Sequence, residues 1–210
     1  MALSVIKWVS LGVATSVLAY ANLPTSFYSI KKASVELLAA AQLKELGMAE
    51  NVPKITAGDL WKTNGAVVMA VRRPGWSLCR EEAVQLSKLK PTLSKLNIPL
   101  IAVLHEEDGH EDFKPFFKGN LYFDSSKVFF GPIERRLFML GFLRIQSYIS
   151  GYQAYKNNVQ GNLKGDGTLL GGVFVLGSGN TGIIFEHREK YWGDYVNVSD
   201  VLQAVEKIGN

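Results

Sequence analysis

The chain has 210 residues, of which 47% are hydrophobic and 20% are charged. This length predicts one globular domain with extensions, since a domain of this size buries most of its unfolded surface. The formal net charge is only +4 and the basic residues are scattered, so we expect no nucleic-acid-binding face. The single cysteine, Cys79, excludes an internal disulfide, a cysteine-based zinc site and a C-x-x-C redox pair.

Residues 1–30 form an apolar N-terminal segment that has two interpretations. Lys7 precedes an apolar stretch over 8–21, which ends in Ala-Tyr-Ala as secretory signal peptides do. The stretch is shorter than the about 20 apolar residues of a comfortable membrane span. The alternative is an apolar helix that anchors to a membrane surface or to the domain itself. A glycosylation sequon at Asn197 would be used only if the chain entered the secretory pathway.

Residues 31–54 are predicted to form a helix and a linker, ahead of a domain that covers residues 55–210. Apolar residues at helical spacing predict that the helix covers 33–46, with Gly47 ending it. No internal repeat or low-complexity tract divides the chain further. The sequence therefore predicts three parts of very different size.

The first half of this domain begins with a strand and a helix. The run 65–71 is continuously apolar and follows a turn signal, which is typical of a strand buried on both faces. A helix is predicted over 77–96, where four leucines up to Leu96 share one face. Pro91 lies inside this helix and is expected to kink or interrupt it.

The remaining elements complete an alternating pattern. In chain order they are a buried strand at 99–104, an acidic loop at 106–112, a short strand at 121–123, an apolar helix at 135–149, a long loop at 151–167, a strand pair at 172–176 and 183–186, and a final helix capped by Ser199. Alternating strands and helices followed by a hairpin predict an α/β protein with a mixed central sheet flanked by helices. This is the element order of a thioredoxin-like fold.

The segment 64–83 reads NGAVVMAVRRPGWSLCREEA and carries a family resemblance. It resembles the peroxiredoxin-like 2 proteins, in the AhpC/TSA-like branch of the thioredoxin superfamily. Further matching motifs lie downstream, so that the resemblance extends from about residue 30 to the end; they are at 117–119, 139–142, 161–163, 170–175 and 186–190. Together these motifs are far more specific than any one of them.

The resemblance implies a thioredoxin-like fold and a redox-regulatory antioxidant role. It also implies localisation mainly in the cytoplasm and leaves secretion open. The family motif is Pro-Gly-Cys-x-x-Cys-Arg, and here Pro74, Gly75, Cys79 and Arg80 match it. Trp76 stands in place of the first cysteine, so cycling between a dithiol and a disulfide within this chain is ruled out. We expect no bound cofactor or metal, and an external reductant such as glutathione or thioredoxin.

Cys79 is thus the one candidate catalytic residue. It lies in the first turn of a predicted helix, where the helix dipole favours the thiolate, and Arg73 and Arg80 are candidates for the same effect. Such a thiol could react with small oxidants to a sulfenic acid, or with protein thiols to a mixed disulfide. The alternative is a buried, inert cysteine in a non-catalytic thioredoxin-fold binding module for signalling. Trp76 has its own alternatives: an apolar lid over the pocket, a contact surface for a partner, or a residue that only packs.

Three other motifs are interpreted as structural. The G-x-G-x-x-G pattern at 177–182 precedes a strand instead of opening a helix, which predicts a hairpin turn. His105 and His110 are five residues apart and flank an acidic stretch, which predicts a solvated loop in place of a metal site. His187 would influence the thiol only if the fold placed it near Cys79.

Overall fold

The computed structural model describes residues 2–23, 30–48, 53–137, 139–162 and 164–208. Within them, seven strands form one sheet in the order β2-β1-β5-β4-β3-β6-β7. The strands are β1 (Gln42–Glu45), β2 (Ile55–Thr56), β3 (Ala66–Val71), β4 (Leu100–Leu104), β5 (Asn120–Phe123), β6 (Gly172–Leu176) and β7 (Ile183–Arg188). The predicted buried strands and the hairpin are confirmed.

Seven α-helices are seen in the described residues. They are α1 (Ala2–Ala21), α2 (Val35–Ala39), α3 (Ser77–Ser87), α4 (Lys90–Lys95), α5 (His110–Phe113), α6 (Ile145–Lys156) and α7 (Val198–Glu206). α3 ends and α4 begins close to Pro91, so the predicted interruption is confirmed. The first residue of α7 is Val198, and its cap is Asn197, whose side chain accepts a hydrogen bond from Ser199; the predicted cap at Ser199 is wrong by two residues.

The sheet is mixed, with β3, β4 and β5 parallel at its centre and β6 and β7 antiparallel beside β3. β3 and β4 are buried at every position, because hydrophobic clusters cover both faces of the sheet. Val67, Met69 and Val71 of β3 face the cluster formed with α3, α4 and α7. The alternate residues face the cluster formed with α2 and Trp61. These layers confirm the predicted thioredoxin-like architecture.

The predicted helix over 33–46 is wrong in its second half. The helix ends at Ala39, and Gln42–Glu45 instead forms β1, which pairs antiparallel with both β2 and β5. Leu43 is fully buried in this arrangement. Pairing at the sheet edge and burial of this leucine outweigh a helical preference that is intrinsically weak. β1 and β2 thus extend the sheet, although the boundary at residue 55 stays a prediction.

The predicted helix over 135–149 is also wrong for most of its length. Arg135 and Leu137 are instead tied to the strand-like segment 168–170, through Leu170 N–H to Arg135 O and Leu137 N–H to Thr168 O. α6 begins only at Ile145 and runs into the region where a loop had been predicted. Leu96, expected on the buried face of its helix, is 43% exposed because α4 ends just before it.

The G-x-G-x-x-G segment forms the turn between β6 and β7, as predicted. Gly177 N–H donates to the carbonyl oxygen of Gly182 across this turn, and both strands continue on either side of it. Gly182 has a φ of +98°, a conformation that glycine adopts without strain. The segment is therefore a hairpin connection.

Within the apolar N-terminal segment, Ala2–Ala21 forms the continuous helix α1. Its end is fixed to the domain where Asn22 donates to Leu143 O and accepts from Ile145 N–H. Arg144 donates to the carbonyl oxygens of Ala21 and Leu23. Among the residues that the structure describes, no helix combines the length and the hydropathy needed to cross a bilayer.

Candidate functional site

Cys79 lies in the first turn of α3, directly after the turn that leaves β3. That turn is tight, since Trp76 N–H donates to Arg73 O and a Cβ at Gly75 would lie 2.1 Å from Oδ1 of Asn162. Asn162 N–H also donates to Gly75 O at 2.6 Å. The Pro-Gly of the motif therefore lets the chain reverse closely enough to start α3 beside the central strand.

The Cys79 sulfur is buried against Arg72. The thiol residue is 3% exposed and Arg72 is 1% exposed, and Nη2 of Arg72 lies 3.7 Å from the sulfur. Nε of the same guanidinium lies 3.4 Å from Oε2 of Glu189, which also accepts from Gly171 N–H. Arg72 thus links the thiol to a buried carboxylate at the end of the hairpin.

The environment of Cys79 opposes ionisation. Burial raises the pKa of the Cys79 thiol, and the positive charge of Arg72 and the backbone N–H of Arg73 only partly offset this. Negative charges at Glu189 and Glu82 raise the pKa further. In the closed structure the protonated thiol is therefore favoured, because desolvation outweighs the contributions that sequence reasoning had emphasised.

The predicted thiol-tuning arginines lie in different places. Arg80 donates from Nε to Pro74 O and from Nη1 to Gln160 O, so it ties the motif turn to the segment after α6. Arg73 places its guanidinium 4.3 Å from the ring centroid of Trp76. The tuning roles of Arg73 and Arg80 stay predictions.

Sequence reasoning missed Arg72 as a contact of the sulfur. Its signal was a pair of arginines directly after a buried strand and just before the motif. Such a pair does not reveal which member turns inwards. Only the fold shows that Arg72 does so, toward Cys79 and Glu189.

Trp76, at the position of the missing cysteine, packs over this arginine pair. Its ring lies 4.2 Å from the guanidinium carbon of Arg72 and makes an edge-to-face contact with Trp192 at 5.4 Å. It is half-buried and packs against the cluster that contains Cys79 and against the one that contains Leu78. Trp76 therefore has the position of a cover over the motif.

Behind the thiol lies a buried acidic group. Burial, together with the charge of Glu189, raises the pKa of Glu82 to about 8, although its Oε1 accepts from Val196 N–H. Burial also raises the pKa of Tyr195, whose hydroxyl has no hydrogen-bond partner among the described residues. The negative charges of Cys79 and Glu82 would act in the same direction.

Two cavities open beside the motif. An apolar groove of about 370 Å³ has five aromatic side chains in its lining, those of Trp76, Phe142, Tyr148, Tyr152 and Trp192. A polar cavity of about 900 Å³ reaches Gly75 from the acidic loop at 106–112. In the part of the chain that the structure describes, no three His, Cys, Asp or Glu side chains are grouped to hold a metal ion.

One of the three histidines supports the arginine that contacts the thiol; this is His105, which is 6% exposed, so the predicted solvated loop is wrong at this residue. Nε2 of His105 lies 2.6 Å from Arg72 O, so this nitrogen donates and braces the backbone of the arginine. His110 lies at the start of α5 and hydrogen bonds through Nδ1 to Glu107 O. Nε2 of His187 bonds to the carbonyl oxygen of Asp194.

The fold is the one found in a class of proteins, the thioredoxin-fold peroxiredoxins. A cysteine-to-serine mutant of Xylella fastidiosa PrxQ superposes with a TM-score of 0.51 at 14% identity, covering 87% of this chain and 98% of that one. Mycobacterium tuberculosis AhpC superposes with a TM-score of 0.50 at 15% identity, covering 87% and 95%. At these identities the likeness is one of fold.

Sequence comparison gives the family within this class. The family model described as AhpC/TSA antioxidant enzyme matches residues 85–191, a stretch that begins after the thiol motif. Peroxiredoxin-like 2A of Gallus gallus is 47% identical over 201 residues, covering 95% of this chain and 89% of the relative. The Homo sapiens protein of that name is 46% identical over 202 residues, covering 95% and 87%. The chain therefore belongs to the AhpC/TSA antioxidant enzyme family, together with the peroxiredoxin-like 2A proteins.

Proposed function

We propose that this protein is a redox-regulatory antioxidant that acts through one thiol, Cys79. Membership of a peroxiredoxin-like family supports a redox function in general. The observation that carries the single-thiol proposal is the contact of 3.7 Å between the Arg72 guanidinium and the Cys79 sulfur. A guanidinium directed at a sulfur favours the negative charge that the thiolate must carry to react.

The chemistry uses small oxidants and an external thiol. The Cys79 thiolate attacks one oxygen of a hydroperoxide, an S–O bond forms, the O–O bond breaks, and the leaving oxygen takes a proton to become an alcohol or water. A small thiol such as glutathione, or the thiol of a protein such as thioredoxin, then condenses with the sulfenic acid and releases water. A second thiol attacks the mixed disulfide and restores Cys79. Trp76 has no group that could replace these external thiols.

Burial sets a condition on this reaction. Because Cys79 is closed off and its pKa is raised, an oxidant reaches the sulfur only when the cover formed by Trp76 moves. Departure of Trp76 would admit water to the sulfur and to Arg72. The desolvation that opposes the thiolate would then decrease, while the positive charge would remain.

The alternative is a non-catalytic thioredoxin-fold binding module in signalling. Its supporting observation is the same closed thiol, since a buried thiol with a raised pKa is inert. The half-buried Trp76 and the apolar groove beside it would then serve as the contact surface for a protein partner.

One experiment separates the two functions. The rate of alkylation of Cys79 is measured across pH in the native and the unfolded protein, and the mass is determined after exposure to hydrogen peroxide and then glutathione. A native thiol that alkylates and forms a sulfenic or glutathione adduct supports the redox function. Reaction only after unfolding would refute it and favour the binding module. Cys79→Ser is the control that must give no adduct.

Localisation follows from the same proposal. Small thiol reductants are abundant in the cytoplasm, which is where a single-thiol mechanism would be sustained. Secretion stays the alternative if residues 1–21 are removed as a signal. If those residues are retained, they could associate with a membrane.

A further inference from the structure

We infer that α1 and the exposed face of α6 together form a docking surface for an anionic phospholipid bilayer. This surface, called here the lipid face, consists of α1, Phe142 and the large, exposed apolar and aromatic side chains of α6, which are Ile145, Tyr148, Ile149, Tyr152 and Tyr155. It goes beyond a simple N-terminal tether, because it gives the folded domain a fixed orientation on the membrane.

The stretch of α1 from Gly12 to Tyr20 is left uncovered by the rest of the described chain. Every residue from Gly12 to Tyr20 is exposed, and these nine positions cover the whole circumference of the helix. Trp8 is 71% exposed as well. A helix that is apolar all round and lacks a protein cover needs an apolar environment, because water penalises such a surface.

Two hydroxyl groups in the described part of α1 are satisfied within the helix. Oγ1 of Thr15 and Oγ of Ser16 both donate to the carbonyl oxygen of Gly12, at 3.0 and 2.8 Å. Such bonds hide the polarity of these side chains from the surroundings. These two side chains can therefore enter the acyl region at a low cost.

α6 adds an aromatic face to this helix. Tyr148, Tyr152 and Tyr155 are all more than 60% exposed, and Ile145 and Ile149 are exposed beside them. Tyrosine combines an apolar ring with a polar hydroxyl and is enriched where membrane and water meet. Three such residues on one exposed helix face therefore suit the headgroup boundary better than bulk water.

The two helices are joined at one fixed point. Asn22, directly after α1, bonds to Leu143 O and Ile145 N–H, and Arg144 bonds back to Ala21 O. The end of α1 therefore lies against the start of α6, and exposed apolar side chains flank this junction at Leu23 and Leu143. The aromatic groove beside Trp76 opens on the same surface, since Tyr148 and Tyr152 line it.

Charge is what selects a lipid surface as the occupant. None of the 19 acidic residues lies in 1–35 or in 135–165, the two segments that contain the lipid face. These segments instead hold only basic charges, including Lys7 and Lys156, and Nζ of the exposed Lys156 lies 6.0 Å from the ring centroid of Tyr152 on the lipid face. Anionic headgroups attract such segments, whereas a cover made by a second copy of this chain would bring like charges together.

The test is cosedimentation of the full chain with vesicles. Vesicles of phosphatidylcholine alone are compared with vesicles that also contain phosphatidylserine, at low and at high salt. We expect binding to the anionic vesicles, weakened by salt because exposed charges are screened. The double variant Ile149→Ser with Tyr155→Ser should lower the partition coefficient about tenfold or more, since two apolar side chains no longer enter the lipid.

The matched control removes exposed apolar side chains elsewhere. Met48→Ser with Leu96→Ser alters side chains that lie after β1 and α4, and it should leave vesicle binding unchanged. Thermal unfolding of both double variants shows that each is folded. Equal binding by the α6 variant and the parent would overturn the proposal and leave α1 as the only tether. A parent that ignores vesicles but forms a dimer that the α6 variant dissociates would overturn it in favour of self-association.

Discussion

Nη2 of Arg72 lies 3.7 Å from the sulfur of Cys79, and Nε of the same side chain lies 3.4 Å from Oε2 of Glu189. One buried cation therefore stands between the only thiol of the chain and a buried carboxylate. Its charge favours the thiolate, while Glu189 and burial oppose it. The balance between these groups decides how readily Cys79 ionises.

Replacing Arg72 should raise the pKa of Cys79 further. Arg72→Gln removes the positive charge nearest the sulfur, so alkylation should require a higher pH than in the parent. Arg72→Lys retains a charge and should lie closer to the parent. Arg72→Gln also leaves Glu189 without its cation and should lower the free energy of unfolding by about 3–5 kcal/mol. Arg80→Gln is the control, because Arg80 donates to Pro74 O. If the pKa of Cys79 shifted more in Arg80→Gln than in Arg72→Gln, Arg72 would not be the arginine whose charge favours the thiolate.

Truncating Trp76 should open the thiol. Trp76→Ala removes the ring that packs over Arg72 and Arg73, and we expect the alkylation rate of native Cys79 to rise by about an order of magnitude or more, since reactivity follows exposure and thiolate content. The rate is measured with a thiol reagent under native conditions. Trp8→Ala, which changes an exposed tryptophan on α1, should leave the rate unaltered. An unchanged rate in Trp76→Ala would show that another group closes the site.

Glu82 should make the protein less stable as pH rises. Burial raises its pKa to about 8, well above the about 4.3 of a carboxyl in the unfolded chain. Between these values the folded protein binds more protons than the unfolded chain, so the free energy of unfolding falls with increasing pH. Below about pH 4.3 the contribution is fully present, and above about pH 8 it is lost.

Glu82→Gln should remove this slope, which amounts to at most about 1.4 kcal/mol per pH unit. Urea unfolding at several pH values between about 5 and 8 measures it. Glu111→Gln, at an exposed position on α5, should keep the slope of the parent. If Glu82→Gln kept the parental dependence of the free energy of unfolding on pH, a group other than Glu82 would be responsible for that dependence.

Two glycines should respond to alanine in opposite directions. A Cβ at Gly161 would lie 2.3 Å from Ser77 N, at the start of the thiol-bearing helix, so Gly161→Ala should destabilise by about 1–3 kcal/mol. Gly151 lies inside α6 with open space at its Cβ position, so Gly151→Ala should stabilise by about 0.5–1 kcal/mol. Thermal or urea unfolding measures both; destabilisation by Gly151→Ala would contradict the expected helix.

The centre of the fold was predictable because its signal is local. The short, continuous apolar runs that form β3, β4 and β6 are typical of strands buried between two layers. The segments at 33–46 and 135–149 were mispredicted because long-range contacts decide them. Gln42–Glu45 becomes a strand by pairing with β5, and Arg135 is held extended by Leu170, and neither partner is near in sequence.

In the candidate site, too, the sequence predicts the local features and misses those that depend on long-range contacts. Cys79 and Trp76 could be named from the motif, but the sequence placed the tuning charges on Arg73 and Arg80 by proximity along the chain. The contact of Arg72 with the sulfur and the burial that raises the pKa of the thiol depend on the packed layers. This contact and this burial arise from the tertiary packing around Cys79, which residue spacing along a helix cannot predict.

The stack of Trp76 on two guanidinium groups has a kinetic consequence. When opening and closing are fast, a reagent that attacks only the open form is consumed in proportion to the fraction of molecules that are open. The rate of Cys79 oxidation would then depend on the fraction of molecules in which the tryptophan cover is open, as well as on the reactivity of the oxidant. Any partner that holds Trp76 in place, or draws it away, would set the sensitivity of the protein without touching the sulfur.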